Sequence, residues 1–447
     1  MKYLIVIILL ILGSNVLLSQ SGMRFPELEK KLEPYFDKDL ITDIKTQLPH
    51  GSDFTIWGWD VGDFSGDGFN DVAFSIKLSA EKRKIVQVYL FVEIDGFLTK
   101  VAQYNYDYFE IPLEIGVAIK ENICYVTKKR KQFDWMIKGY HYENGIIMLF
   151  DEFTTKRIED KTQESYRNYQ TLKNTEKFLV TTSNETKFVA DYLTIPSYTR
   201  GRLIYKGFSS EAISKNIDYV QSGAYYWKGE YDASFSTKSS FDDEYLYMTV
   251  SVKDDKVVTL SCDTCQADYI EVWFDIIPPE RKPKSDIKPL PIIDSSYSNQ
   301  HRFTPSGIYN IKFYPGDFLE KKAFIKNYYS SDNMEYTQIE AVKNINAVSS
   351  LRPDGYDIKF RIPFTFFGIE ASQMDLNLVE FGCTLILHDI DNEYRPEEET
   401  QIATSKFDSN DPSSYGSLMF IPQGKWYGES SNIYRDDFIK FLLEYGF

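Results

Sequence analysis

Short runs in which apolar residues alternate with polar ones recur along the chain, and they predict strands. Val86-Gln87-Val88-Tyr89-Leu90-Phe91-Val92 and Tyr245-Leu246-Tyr247-Met248-Thr249-Val250-Ser251-Val252 have strand length and end in charged or turn residues. Asp95-Gly96 and Asn144-Gly145 fall between such runs and predict tight hairpins, because these residues accept positive φ. Helical periodicity is confined to the edges. Pro26 to Tyr35 and Asp39 to Leu48 predict two short helices. Near the other end Phe438, Phe441, Leu442 and Tyr445 recur at helical spacing behind Asp436-Asp437. The expected fold class is all-β: a β-rich N-terminal domain and a C-terminal β-sandwich, with short helices at both ends. Tyr and Phe, 33 and 32 of 447 residues, suit pleated surfaces and support that class.

The first residues depart from this pattern. Lys2 precedes an unbroken apolar stretch from Leu4 to Leu12, which is too short for a bilayer of roughly 30 Å but suits a secretory signal peptide. Cleavage is expected after Ser19, with Ser21 as the alternative. No cysteine stands there to carry a lipid anchor, and no second apolar stretch approaches transmembrane length. The expected location is therefore secreted, periplasmic or at the cell surface. Lys and Arg number 50 against 66 Asp and Glu, a net charge of −16. That field opposes nucleic acid and anionic membranes and favours neutral ligands or cations. The basic run Lys128 to Lys131 reads as a solvated turn.

Asp63, Ser65, Asp67, Phe69 and Asp71 place oxygens at alternate positions of a glycine-containing loop. Calcium takes six to eight oxygen ligands at roughly 2.3–2.6 Å, and alternate side chains of a tight curl converge on one point. The side chains of Asp63, Ser65, Asp67 and Asp71 and the carbonyl of Phe69 form the expected Ca2+ set. The loop is no EF-hand, since Phe74 stands where a bidentate Glu is required. Its flanks, Phe54 to Trp57 and Val72 to Ile76, read as strands. A strand, calcium loop and strand in this order resembles one FG-GAP or VCBS repeat, which implies a structural ion. Ser65 departs from the Asp or Asn usual there, and only one clear copy is present.

The second half carries an ordered series: Trp227 to Phe235, Phe241 to Asp255, Asp268 to Asp275, Gly355 to Phe364, Phe381-Gly382, His388 to Asp391, and Tyr415 to Leu418. Over about 213–428 the series resembles the family 9-like carbohydrate-binding module, a β-sandwich related to the DOMON group. The resemblance implies a neutral polysaccharide or glycan as partner. Independently, Ile270, Val272 and Phe274 share one strand face, and Tyr269, Glu271, Trp273 and Asp275 share the other. Sugars stack on aromatic faces while carboxylates and amides take their hydroxyls. Trp273, Glu271 and Asp275 are the candidate ligand-binding residues, with Trp227 a second stacking candidate. The opposite reading makes Trp273 core. Pro278 to Pro291 reads as a solvated loop, and His388 to Glu393 as either a solvated loop or a second cation site.

None of the four histidines forms a metal-binding pair with another, and no nucleophile elbow or phosphate loop is present. Cys262 and Cys265 stay open among a disulfide, free thiols and metal or redox chemistry; Cys124 and Cys383 read as core. The domains expected are 1–19 signal peptide, 20–212 N-terminal β domain, 213–428 sandwich and 429–447 helix. The function expected is non-catalytic carbohydrate binding stabilised by calcium. Two alternatives stand beside it: an extracellular protein-interaction or adhesion protein with a cell-surface partner, and a carbohydrate-active hydrolase with its catalytic domain in 20–212.

Overall fold

The computed structural model describes residues 22–48, 54–79, 84–108, 114–131, 134–201, 209–260, 266–276, 307–330, 336–369, 379–423 and 427. The signal peptide, the C-terminal helix, the 278–291 loop, Cys262 and Cys265 lie outside them. The protein is all-β, with few short helices. Among the described residues no helix is long and apolar enough to cross a membrane. The chain divides into two compact units, one ending at Tyr169 and one running from Gln170 to Tyr427.

The first unit opens with α1 (Phe25–Leu32) and α2 (Lys38–Thr46). Strands β1 (Phe54–Gly62), β2 (Asp71–Ser79), β3 (Lys84–Ile94) and β4 (Phe97–Tyr108) form a four-stranded antiparallel sheet in sequence order. The helices cover one face of it, packing Leu28, Leu32, Ile41 and Ile44 against Ile56, Phe74 and Phe91. Gln47 fastens α2 to β4, donating to the Leu98 carbonyl at 2.7 Å and accepting from the Lys100 N–H at 2.9 Å. A second antiparallel meander follows: β5 (Glu114–Lys120), β6 (Ile123–Lys131), β7 (Asp134–Glu143), β8 (Ile146–Ile158) and β9 (Lys161–Asn168). The hairpins at Asp95-Gly96 and Asn144-Gly145 have positive φ at both residues, 53° and 83° in the first and 53° and 79° in the second, as primed turns require. The basic run is a correction to the solvated turn expected of it. Lys128 and Lys129 lie within β6, their ammonium groups 5.6 and 4.7 Å from the Tyr106 and Trp135 rings. Aromatic faces accept the charge and let the stems lie flat on the sheet.

The second unit is a sandwich. One sheet runs β19 (Asn346–Arg352), β20 (Gly355–Pro363), β15 (Tyr245–Asp254), β14 (Ala233–Phe241) and β12 (Glu211–Ser214). The other runs β18 (Phe324–Ser330), β17 (Ile308–Tyr314), β16 (Tyr269–Asp275), β21 (Val379–Asp389), β22 (Thr400–Ala403) and β13 (Val220–Ser222). Strand β11 (Thr186–Thr199) pairs with β10 (Lys173–Val180) along one stretch, and further on lies parallel to both β14 and β23 (Ser417–Ile421). Because β23 also pairs with β21, β11 and β23 join the two sheets at one edge. The second unit begins at Gln170, and its β11 pairs with strands of the sandwich, whose start the sequence pattern placed at 213. Parallel pairing to strands 40 and more residues away leaves no local signature in β11. The interior holds Ile270, Val272 and Phe274 against Val250, Val252, Tyr356 and Ile358, all fully buried. Helix α3 (Tyr336–Val342) carries Gln338, which donates to the Tyr309 hydroxyl at 3.1 Å. Cys124 and Cys383 are free and buried, as expected of core residues.

One half-buried acid of the first unit yields a pH test. Asp151 on β8 has its pKa pushed up to about 6 by burial, against the opposing hydrogen bond from the Tyr166 hydroxyl at 3.3 Å. A raised carboxyl pKa favours the protonated native state, so its stability contribution falls as pH rises through about 6. Asp151→Asn should stabilise the protein at pH 7.5 by about 1–3 kcal/mol and be near neutral at acid pH where Asp151 is protonated. Urea unfolding at the two pH values measures it; equal effects at both contradict the reading.

Candidate functional site

The predicted calcium loop joins β1 to β2. Asp63 accepts the backbone N–H groups of Gly66 at 2.5 Å and Gly68 at 2.9 Å, and the Ser65 hydroxyl at 3.3 Å. Asp67 accepts from the Phe69 N–H at 2.8 Å. Asp71 is buried and accepts from the N–H groups of Phe64, Ser65 and Glu93 at 2.8, 2.9 and 3.1 Å. Burial pushes its pKa up to about 6 in spite of these bonds. Gly66 and Gly68, at φ 78° and 92°, supply the left-handed turns of the curl. The three aspartates do not bring an oxygen each within 4.8 Å of one another. In this geometry Asp71 serves the backbone instead of the loop's centre.

The face of β16 opposite the sandwich interior is the second predicted site, and it holds more than alternation implied. Register sets Glu271 opposite Lys312 of β17 and Ile386 of β21, with His388 one pleat further along β21, at the diagonal reach of a long side chain. His388 Nε2 donates to Glu271 at 2.8 Å, and Nδ1 donates to Glu399 at 2.5 Å. Glu271, only 7% exposed, also accepts from the indole N–H of Trp273 and the amide of Asn310, both at 2.9 Å, with the Lys312 ammonium 3.7 Å away. Glu399 accepts from Gln401 at 2.9 Å. Tyr269 stacks on the His388 imidazole at 4.0 Å and Tyr314 stacks on Tyr269 at 4.9 Å.

Opposing effects set the charge states. Burial pulls the His388 pKa down, but the carboxylates on either side outweigh it and hold the ring above its usual range. Burial pushes Glu271 and Glu399 up, and the imidazolium outweighs it, so both lie below the usual carboxylate range. The result is a histidinium clamped between two carboxylates on a sheet face.

Of the predicted ligand-binding residues, Glu271 and Trp273 meet in this cluster. Trp273 is half-buried, with Phe407 and Tyr415 against its ring at 5.4 and 6.3 Å. Asp275 lies on the same strand but is buried at its far end. Trp227 sits apart on the 223–231 turn, its indole N–H donating to the Ala233 carbonyl at 2.8 Å. The solvated-loop reading of His388 and Asp389 is corrected, since both are buried at the end of β21. Asn310, Lys312, Glu399 and Gln401 were not foreseen. Each sits in an ordinary strand pattern and gains its role only from the register of β17, β21 and β22 with β16.

No family profile matches the chain, and no curated protein matches it. Among solved structures, two of a family 9 carbohydrate-binding module from Caldicellulosiruptor kristjanssonii are similar, one in complex with cellotriose and one with glucose. Identity is 14% and 15%, the alignments cover 52% of this chain and 95% and 97% of those chains, and the TM-score is 0.31 for each. A likeness of that size decides neither fold nor ligand.

Removing the imidazolium leaves two carboxylates facing each other, which for a buried pair costs about 3–5 kcal/mol. His388→Ala should lose that much, measured by urea unfolding. The lowered carboxyl values make the acids' contribution complete above their ordinary 4.5 and lost as pH falls through the lowered values. The raised imidazole value makes His388's contribution complete below its ordinary 6.5 and lost as pH rises through the raised value. The deficit of His388→Ala should therefore peak between pH 4.5 and 6.5. A flat deficit from pH 4 to 9 contradicts the clamp.

Proposed function

We propose that the protein acts by binding, and that it takes a neutral glycan on the outer face of β16, β17 and β21. The observation that carries this reading is the grouping of a carboxylate, an amide and an ammonium, from Glu271, Asn310 and Lys312, beside the half-buried indole of Trp273. Sugar recognition needs hydrogen-bonding groups of both senses, held rigidly, next to an aromatic surface. Glu271 accepts, Lys312 donates, and Asn310 does either. The clamp on His388 fixes the carboxylate, so little ordering entropy remains to be lost on binding.

Export after removal of residues 1–19 belongs to the same proposal. So does calcium at Asp63, Ser65, Asp67, Phe69 and Asp71, supported by the alternating oxygens and the two positive-φ glycines. There the ion has to draw the Asp71 carboxylate off its backbone donors.

A protein-interaction role is the second reading, favoured by exposed tyrosines. Tyr225 and Tyr231 on the 223–231 turn are 93% and 76% exposed, and Tyr394 is 81% exposed on the turn after β21. The Lys228–Asp391 ion pair, 3.5 Å long, links these two turns. Tyrosine is enriched at protein interfaces.

Affinity electrophoresis of the full chain against a panel of soluble neutral polysaccharides tests the first reading. At least one should retard it, and Trp273→Ala or Glu271→Gln should weaken retention about tenfold or more. Trp273→Ala that unfolds the protein marks the residue as structural; retardation by no polysaccharide transfers the case to the interaction reading. For the loop, excess chelator should lower Tm, and Asp67→Ala should mimic part of that loss. An unchanged Tm in both experiments removes calcium from this loop.

A further inference from the structure

The sandwich has a second outer face, on the sheet that faces away from the proposed glycan surface. Strands β20, β15 and β14 form its middle, and Val250 and Val252 of β15 are fully buried on the inward side. The residues between them therefore point outward. Register sets Arg361 of β20 beside Tyr247 of β15, and Lys359 beside Thr249, with Lys238 of β14 next in the same row. The row after that holds Asp357, Ser251 and Ser236.

Charge on this face does not cancel. Its acids already have partners: Asp242 lies 3.7 Å from Arg200, Glu211 3.1 Å from Lys238, and Asp357 3.1 Å from Arg352. Lys359 and Arg361 are exposed, and among the described residues neither side chain forms an ion pair or a hydrogen bond. In a chain of net charge −16 this is a local reversal of sign. Charges more than about 8 Å away are largely screened at physiological ionic strength, so a ligand at the face meets the local cations. The arginines are also held ready. The Arg361 guanidinium lies 4.7 Å from the Tyr245 ring and that of Arg200 4.3 Å from the Tyr247 ring. A guanidinium laid on an aromatic face keeps its N–H edge free and has less freedom to lose when an anion arrives.

We propose that this face binds a carboxylated polysaccharide, a polymer of uronic acid units, with Arg361 and Lys359 taking its carboxylates. The planar fork of an arginine matches a carboxylate with two parallel hydrogen bonds. An open sheet surface suits a long chain lying across it, whereas small molecules are held in concave sites. Two residues apart on one strand, the two cations stand about 7 Å from each other and present a row of charge. The hydroxyls of Thr249, Ser251 and Ser236 lie beside that row and can both donate to and accept from sugar hydroxyls. Nucleic acid fits less well, because single strands stack bases on open aromatic faces and the Tyr245 and Tyr247 rings already carry guanidinium groups. A bilayer needs an apolar surface to enter, and the middle of this face is lined by hydroxyls. The inference is independent of the neutral-glycan reading, which concerns the opposite sheet.

Affinity electrophoresis of the full chain in gels cast with polygalacturonate, read against gels without polymer, tests it. Polygalacturonate should retard the chain, and high salt should remove the effect. Lys359→Gln with Arg361→Gln should weaken retardation about tenfold or more; if that variant fails to fold, Lys359→Gln alone is read in its place and should weaken it in the same direction. Lys30→Gln with Lys45→Gln, at exposed positions of α1 and α2, changes the net charge equally and should leave retardation intact. No retardation by polygalacturonate overturns the proposal, and so does equal weakening in the α1 and α2 variant, which would make the effect one of net charge. Binding of single-stranded DNA or phosphatidylserine vesicles through Lys359 and Arg361, without binding of polygalacturonate, overturns it as well. Where a neutral polysaccharide retards the parent, the Lys359→Gln and Arg361→Gln chain should be retarded equally; loss of that retardation puts both ligands on one surface and contradicts the assignment.

Discussion

The contact between His388 and Glu271 joins the two central strands of one sheet at 2.8 Å. Strand β16 is covered by the facing sheet on one side and in part by neighbouring side chains on the other, so a carboxylate placed on it has to find partners or lose its charge. Glu271 finds three hydrogen-bond donors from β16, β17 and β21 and an ammonium beyond them, and so the alignment of these strands and the state of the acid are one problem. Were β21 to slip by one residue, His388 would leave this face and Glu271 would lose its strongest partner. The aromatic stack of Tyr314, Tyr269 and His388 closes the side of the cluster, keeping water away from the ion pairs that define it.

In the proposed binding role, this geometry sets what the face offers. The imidazole donates both its protons to carboxylates, which leaves no free nitrogen to act as a base. The carboxylates are held below their ordinary range, which makes them acceptors and not acids. What such a cluster offers a ligand is fixed polarity beside the Trp273 ring.

Local alternation made the class of fold legible, and it grouped Ile270, Val272 and Phe274 on one strand face, which is the buried one. The same alternation could not say that the opposite face is partly covered. Its cover comes from Lys312, His388 and Phe407, about 40 to 140 positions away, and strand pairing at that distance leaves no periodic trace. For the same reason β11 was not recognised as a sandwich strand: its partners β14 and β23 lie on the far side of loops and other strands. The hairpins were legible because two residues with unusual backbone angles suffice to make them. The basic run at Lys128 misled because charge suggests solvent, while the stems of two lysines lie across tyrosine and tryptophan rings. Glu271 and Trp273 were legible as site candidates by residue type; Asn310 and Glu399 became visible only through register.

The central claim is that a neutral glycan sits on the outer face of β16. A crystal structure of the full chain with a neutral oligosaccharide taken from any polysaccharide that retards it addresses this most directly. The account predicts a sugar ring against Trp273, with hydroxyls within hydrogen-bond distance of Glu271, Asn310 or Lys312. A ring bound elsewhere, with the Trp273 face unoccupied, contradicts it.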